Sequence, residues 1–166
     1  MKCVLIVDDH PIIATACRLL LEPVGIENII TVHDAVSGYE AFLEHKPDVV
    51  TIDLSLHGEE KGGLSLIKRI LADDPKAAIL VFSMHADRRS FVAAIECGAA
   101  GYLLKDAPPD ELVYALQQAR SGRRYLDPQL AVKLAFPDTA LSAKEKRVLA
   151  LLLESTPYAS LAKPFW

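Results

Sequence analysis

Short, nearly unbroken apolar runs alternate along the first two thirds of the chain with longer stretches in which apolar residues recur every three or four positions. The runs are Lys2–Val7, Ile29–Val32, 48–53, Ala78–Phe82 and Gly101–Leu104. Continuous apolar runs of this length predict strands buried on both faces, as in parallel sheets. The intervening stretches predict amphipathic helices. Pro11 suits the first turn of a helix, with Ile12, Ile13, Ala16, Leu19 and Leu20 as its apolar side. A second helix spans Ala35–Lys46, carries Val36, Tyr39, Ala41, Phe42 and Leu43, and is stopped by Pro47. Leu64, Leu66, Ile67, Ile70 and Leu71 mark a third. Asp87 is the expected N-cap of a fourth, reaching Glu96 and closed by Gly98 in the C′ role. Pro108-Pro109 opens a fifth, with Leu112, Val113, Leu116 and Ala119 inward and two acids in its first turn, where the helix dipole favours them.

Five such strand–helix units with right-handed crossovers predict an α/β domain with a parallel sheet in the flavodoxin-like order 2-1-3-4-5. That order sets the first and third strands side by side at the switch point. The polar residues at the strand ends then acquire a meaning. Asp8 and Asp9 follow the first run, Asp53 the third, Ser83 the fourth and Lys105 the fifth, so all five converge on one sheet edge. Three neighbouring carboxylates repel one another unless a cation joins them. Mg²⁺ suits such a site because it takes oxygen ligands and retains waters. One carboxylate can then act as a nucleophile toward a phosphoryl group, with Lys105 and Ser83 contacting its oxygens.

Composition narrows the class. With 51% hydrophobic and 24% charged residues the chain is globular. No apolar run is long enough to span a membrane, and the N-terminus lacks a secretory pattern, so a cytoplasmic location without membrane contact is expected. Cys3, Cys17 and Cys97 lie in apolar patterns and read as buried free thiols. Residues 1–127 carry six more acids than bases, whereas residues 128–166 carry two more bases than acids. His10, His57 and His85 do not have metal-site spacing and read as solvated loop histidines.

The residues Val-Asp-Asp-His-Pro at 7–11, Asp53, Phe-Ser-Met-His at 82–85 and Gly-Tyr-Leu-Leu-Lys-Asp at 101–106 together resemble the receiver domain of two-component response regulators, NarL/FixJ type, over roughly residues 2–125. The resemblance implies that Asp53 is the phosphoacceptor. It makes Asp8 and Asp9 the Mg²⁺-binding pair, with Asp53 and the backbone carbonyl of Ser55 as further ligands. Ser83 and Tyr102 become the switch pair and Lys105 the phosphate-contacting lysine. It also implies a sensor histidine kinase as partner, a signalling surface near the fourth helix, fifth strand and fifth helix, and a possible homodimer. The family usually continues Asp-x-x-Met-Pro-Gly and then Gly-Leu. Here Leu56-His57-Gly58 stands in that place and Gly63-Leu64 comes two residues late. This departure bears on Mg²⁺ affinity and phosphorylation rate.

Residues 126–140 read as a linker with a short helix at Pro128–Leu134. From Leu141 the chain is similar to the start of a LuxR-type helix-turn-helix domain. Ser142 and Glu145 form a capping box before Val148, Leu149, Leu151, Leu152 and Leu153. The expected division is 1–125 receiver, 126–140 linker and 141–166 an incomplete helix-turn-helix segment. Without a recognition helix, DNA binding is expected only of a full-length form. Three function classes follow: a phosphorylated switch controlling transcription, a receiver-only interaction module working by dimerisation or a protein partner, and an aspartate-nucleophile phosphatase. Such phosphatases usually place a second Asp two residues after the nucleophile. Ser55 stands there instead, which disfavours an enzyme.

Overall fold

The computed structural model describes residues 1–56, 62–135 and 142–155, with the side chains of 135 and 152–155 excepted. Its parallel strands are β1 (Cys3–Val7), β2 (Asn28–Val32), β3 (Val49–Ile52), β4 (Ile79–Ser83), β5 (Gly101–Leu104) and β6 (Tyr125–Leu126), in the order β2-β1-β3-β4-β5-β6. The expected five-strand order is present. The sixth strand is an addition, because the stretch read as linker joins the sheet. Helices α1 (Pro11–Leu21), α2 (Ala35–His45), α3 (Gly62–Asp73), α4 (Arg88–Glu96) and α5 (Pro109–Arg120) lie between the strands. Beyond β6 come α6 (Pro128–Ala135) and α7 (Ala143–Ser155).

The sheet divides two apolar layers. One contains Val50, Ile52, Leu66, Ile67, Ile70, Phe91 and Tyr102; the other contains Val4, Ile6, Cys17, Leu21, Leu103 and Leu116. Burial on both faces explains why the strands read as continuous apolar runs. Caps follow the chemistry of their residues. The Asp34 carboxylate accepts the amides of Val36 and Ser37 at 2.9 Å each, and Asp87 accepts that of Ser90 at 2.9 Å. Gly98 has φ +101, the left-handed conformation that closes α4.

Two helix faces differ from the sequence reading. The buried residues of α1 are Ala14, Cys17 and Leu21, while Ile12 and Leu19 are 77% and 66% exposed. In α2 the buried set is Gly38, Ala41 and Phe42, with Val36 and Leu43 exposed. Apolar residues surround both helices, so small residues can take the crowded inner face. Gly38 lies there because a Cβ would meet Leu66 and Val7 side chains at 3.0 and 3.1 Å. All three cysteines are free, but only Cys17 is buried; Cys3 and Cys97 are half-buried. Burial pushes the Cys17 thiol up to about 12, with Asp8 adding to the effect.

The C-terminal elements pack onto the sheet and onto α4. Gly101 admits β6: a Cβ there would stand 2.8 Å from the Tyr125 carbonyl oxygen. Asp127, 1% exposed, accepts the amides of Gln129 (2.8 Å) and Leu130 (3.2 Å) at the start of α6. Its other carboxylate oxygen accepts the Leu104 amide at 3.2 Å. Leu130 and Leu134 enter the core, as does Val148 of α7. Two ion pairs join α7 to α4, Arg88–Glu145 at 2.6 Å and Lys144–Glu96 at 2.8 Å. The capping box is formed: the Ser142 amide donates to Glu145 at 2.7 Å and the Glu145 amide to the Ser142 hydroxyl at 3.3 Å. The central part of the altered loop after Asp53, residues 57–61, and the stretch 156–166 lie outside the described residues.

Candidate phosphoacceptor and metal site

The register of β1 on β3 pairs Val7 with Ile52, so Asp8 and Asp53 leave adjacent strands at the same level. The Asp53 amide donates to the Val7 carbonyl at 3.0 Å and the Asp8 amide to the Val32 carbonyl at 3.0 Å, which fixes both backbones. Asp8 and Asp53 are 2% and 3% exposed. Lys105, equally buried, reaches across from the end of β5 and places Nζ 2.6 Å from Asp53 Oδ2 and 2.7 Å from Asp8 Oδ2. Its amide donates to the Ser83 carbonyl at 3.0 Å, tying β5 to β4 just below the site. Buried like charges this close persist only with cationic partners, and the ammonium is one.

His10 also faces the acids. Its Nδ1 lies 2.9 Å from Asp9 Oδ1, 3.1 Å from Asp8 Oδ1 and 3.9 Å from Asp53 Oδ2. Asp8, Asp9, His10 and Asp53 offer four ligand atoms all within 4.8 Å of one another. Three carboxylates in that compass are the hard-oxygen donor set a divalent ion takes, and the residues fit such an ion. The reading of His10 as a plain solvated histidine is therefore incomplete. Its ring is about half exposed, but its nitrogen faces the acids. The clue in the sequence is its place directly after Asp8-Asp9, at a strand end.

Ser83 and Tyr102 sit to one side. The Ser83 hydroxyl accepts the His85 amide at 3.3 Å, and the Tyr102 hydroxyl donates to the His85 carbonyl at 2.7 Å. Tyr102 is fully buried, edge-on to Phe91 at 5.8 Å between ring centres. Burial raises its hydroxyl well above the ordinary tyrosine range, while Ser83 pulls in the opposite direction. His85 also reaches the loop after Asp53, with Nε2 2.7 Å from the Ser55 hydroxyl. The Ser55 amide lies 3.4 Å from Asp53 Oδ1. Residues 55 and 85 meet only because β3 and β4 are neighbours, so sequence patterning did not find the pair. Gly63 was missed as well: a Cβ there would stand 2.1 Å from the Asp53 carbonyl oxygen, so α3 starts against the backbone of Asp53.

Residues 4–117 match the family model for the response regulator receiver domain. The methanol utilization control regulatory protein MoxX of Paracoccus denitrificans is 32% identical over 96% of this chain and 75% of its own length. The oxygen regulatory protein NreC of Staphylococcus epidermidis is 33% identical over 79% of this chain. The chain spans only 60% of NreC. A LuxR-family two-component response regulator from Aurantimonas is 35% identical with a TM-score of 0.74, over 81% of this chain and 96% of that one. The RcsB response regulator of Salmonella typhimurium is 28% identical with a TM-score of 0.74, over 98% of this chain and 81% of its own.

Proposed function

This chain belongs to the response regulator receiver family, and from that premise we propose that it is a phosphorylation switch whose acceptor is Asp53 and whose output is transcription control. The observation that carries the reading is Lys105 Nζ seated 2.6 Å from Asp53 Oδ2 and 2.7 Å from Asp8 Oδ2 at the ends of three strands. A sensor histidine kinase is the proposed donor. An Asp53 carboxylate oxygen attacks phosphorus, the bond to the donor's nitrogen breaks, and the acyl phosphate remains on Asp53. Lys105 neutralises charge on the transferred group, a role that positioning and electrostatics alone can fill.

Asp8, Asp9, Asp53 and the Ser55 carbonyl are the proposed holders of Mg²⁺. When bound, the ion supplies further neutralisation of phosphoryl charge. Ser83 leaves the His85 amide to donate its hydroxyl to the phosphoryl oxygen. Tyr102, bonded to the same His85, then loses the partner geometry that holds it, and the α4–β5–α5 surface shifts. The family is generally a phosphoacceptor switch rather than an enzyme; slow loss of the phosphoryl group is the only turnover in this reading.

Residues 125–135 are assigned to the receiver in this scheme, and α7 to the LuxR-type output segment. Its ion pairs with α4 favour a coupled output over a receiver-only module. The test is intact mass after incubation with a small phosphodonor and Mg²⁺. One phosphoryl group is expected on the native chain and none on Asp53→Asn. A persistent increase in the variant refutes the assignment.

A further inference from the structure

We propose that His10 is a nitrogen donor of the acidic site, so that the site takes borderline divalent ions of the first transition series, such as Mn²⁺, Co²⁺ or Ni²⁺, through mixed nitrogen and oxygen ligation. The inference rests on the reading of Asp8, Asp9 and Asp53 as metal ligands and adds to it a fourth side chain and an ion class.

Neighbouring ligands on an octahedral ion with bonds of about 2.1 Å stand about 3.0 Å apart and opposite ones about 4.2 Å. His10 Nδ1 lies 2.9 Å from Asp9 Oδ1 and 3.1 Å from Asp8 Oδ1, two neighbouring edges, and 3.9 Å from Asp53 Oδ2, close to an opposite pair. The two oxygens of Asp8 divide the work, while Asp53 Oδ2 is also the atom that Lys105 holds at 2.6 Å. Lys105 holds Oδ2 of Asp8, whereas His10 faces Oδ1 of the same carboxylate. An ion on the histidine side therefore leaves the Asp8–Lys105 contact in place. The ring is aimed by its backbone: the His10 amide donates to Asp8 Oδ1 at 2.9 Å, and Pro11 starts α1 immediately after. Half-exposed, the imidazole exchanges a hydrogen bond for a metal bond at little desolvation cost.

The chemistry separates ion classes. Imidazole nitrogen adds little for Mg²⁺, which prefers oxygen and water, but it strengthens binding along the series from Mn²⁺ to Ni²⁺. A ring that merely donates hydrogen bonds to Asp8 and Asp9 would not discriminate in this way. The contrast between hard and borderline ions is thus the distinguishing property.

The experiment is calorimetric titration of the whole chain with Mg²⁺ and Ni²⁺, with pulsed electron paramagnetic resonance of the Mn²⁺-loaded protein. His10→Ala is expected to weaken Ni²⁺ binding about tenfold or more while Mg²⁺ affinity changes only a fewfold. Native protein should show imidazole nitrogen coupling to Mn²⁺ that disappears in His10→Ala and persists in His33→Ala. Asp9→Ala should weaken both ions. Equal Ni²⁺ affinity in native and His10→Ala protein, without nitrogen coupling, overturns the inference and leaves the carboxylate site standing. Failure of native protein to bind any of the three ions overturns the carboxylate site and this inference together.

Discussion

Lys105→Met removes the ammonium and keeps most of the side chain's length. Nζ serves two buried carboxylates at 2.6 and 2.7 Å. At an effective dielectric constant near 20, each contact corresponds to about 6 kcal/mol of gross attraction. Desolvation of three charges consumes most of that sum, and breaking a buried pair by deleting one partner typically costs about 3–5 kcal/mol. For a chain of this size about 1 kcal/mol moves the melting temperature by roughly 2–4 °C, so the variant should melt roughly 6–20 °C lower. Asp8, Asp9 and Asp53 then face one another without the ammonium, and a divalent cation becomes their main remedy. Added Mg²⁺ should therefore raise the melting temperature of Lys105→Met more than that of native protein. Differential scanning calorimetry with and without Mg²⁺ at one pH measures both effects. A variant melting within about 2 °C of native protein in metal-free buffer refutes the argument that Lys105 holds these carboxylates in place.

Gly63→Ala sets a methyl group against the Asp53 carbonyl and should cost about 1–3 kcal/mol by urea titration while slowing phosphoryl uptake from a small donor; unchanged stability and rate would show that α3 gives way freely. Val148→Asp buries a carboxylate beneath α7, and hydrogen exchange should then report faster exchange of the α7 amides with Asp53 phosphorylation retained. Asp48 accepts the amides of Cys3 and Lys2, which hold its carboxyl below the usual aspartate range. Its stabilisation is therefore present above the ordinary aspartate pKa and lost as pH falls through the lower folded value. Asp48→Asn should accordingly melt below native protein at pH 7, and the gap should close as pH falls below the ordinary aspartate range.

The sheet was legible because burial on both faces leaves little but apolar residues, and the site was legible because polar residues stand where those runs stop. Asp8, Asp9, Asp53 and Lys105 needed only strand order to be brought together. The face of α1 was not legible, and that of α2 only in part, at Ala41 and Phe42. Ile12, Leu19, Val36 and Leu43 match the helical period as well as the buried residues do, and the tight inner face selects Ala14, Gly38 and Ala41 by size. Strand β6 has two residues, too few for any periodicity, and its requirement is written at Gly101 instead. His10 carries no metal-site spacing in the sequence, because its neighbours at the site are the two acids before it rather than other histidines.

The pairing of Tyr125 with Gly101 bears on where the chain can be cut. The Tyr125 amide donates to the Ala100 carbonyl at 3.1 Å and the Asp127 amide to the Tyr102 carbonyl at 2.9 Å. A fragment trimmed near Gly122, just past α5, would strip both donors from β5 and turn an interior strand into an open edge. Such edges recruit foreign strands. A recombinant fragment ending there should self-associate at concentrations where one ending at Ala135 stays monodisperse, and a chimera fusing this unit to another output is best joined after α6.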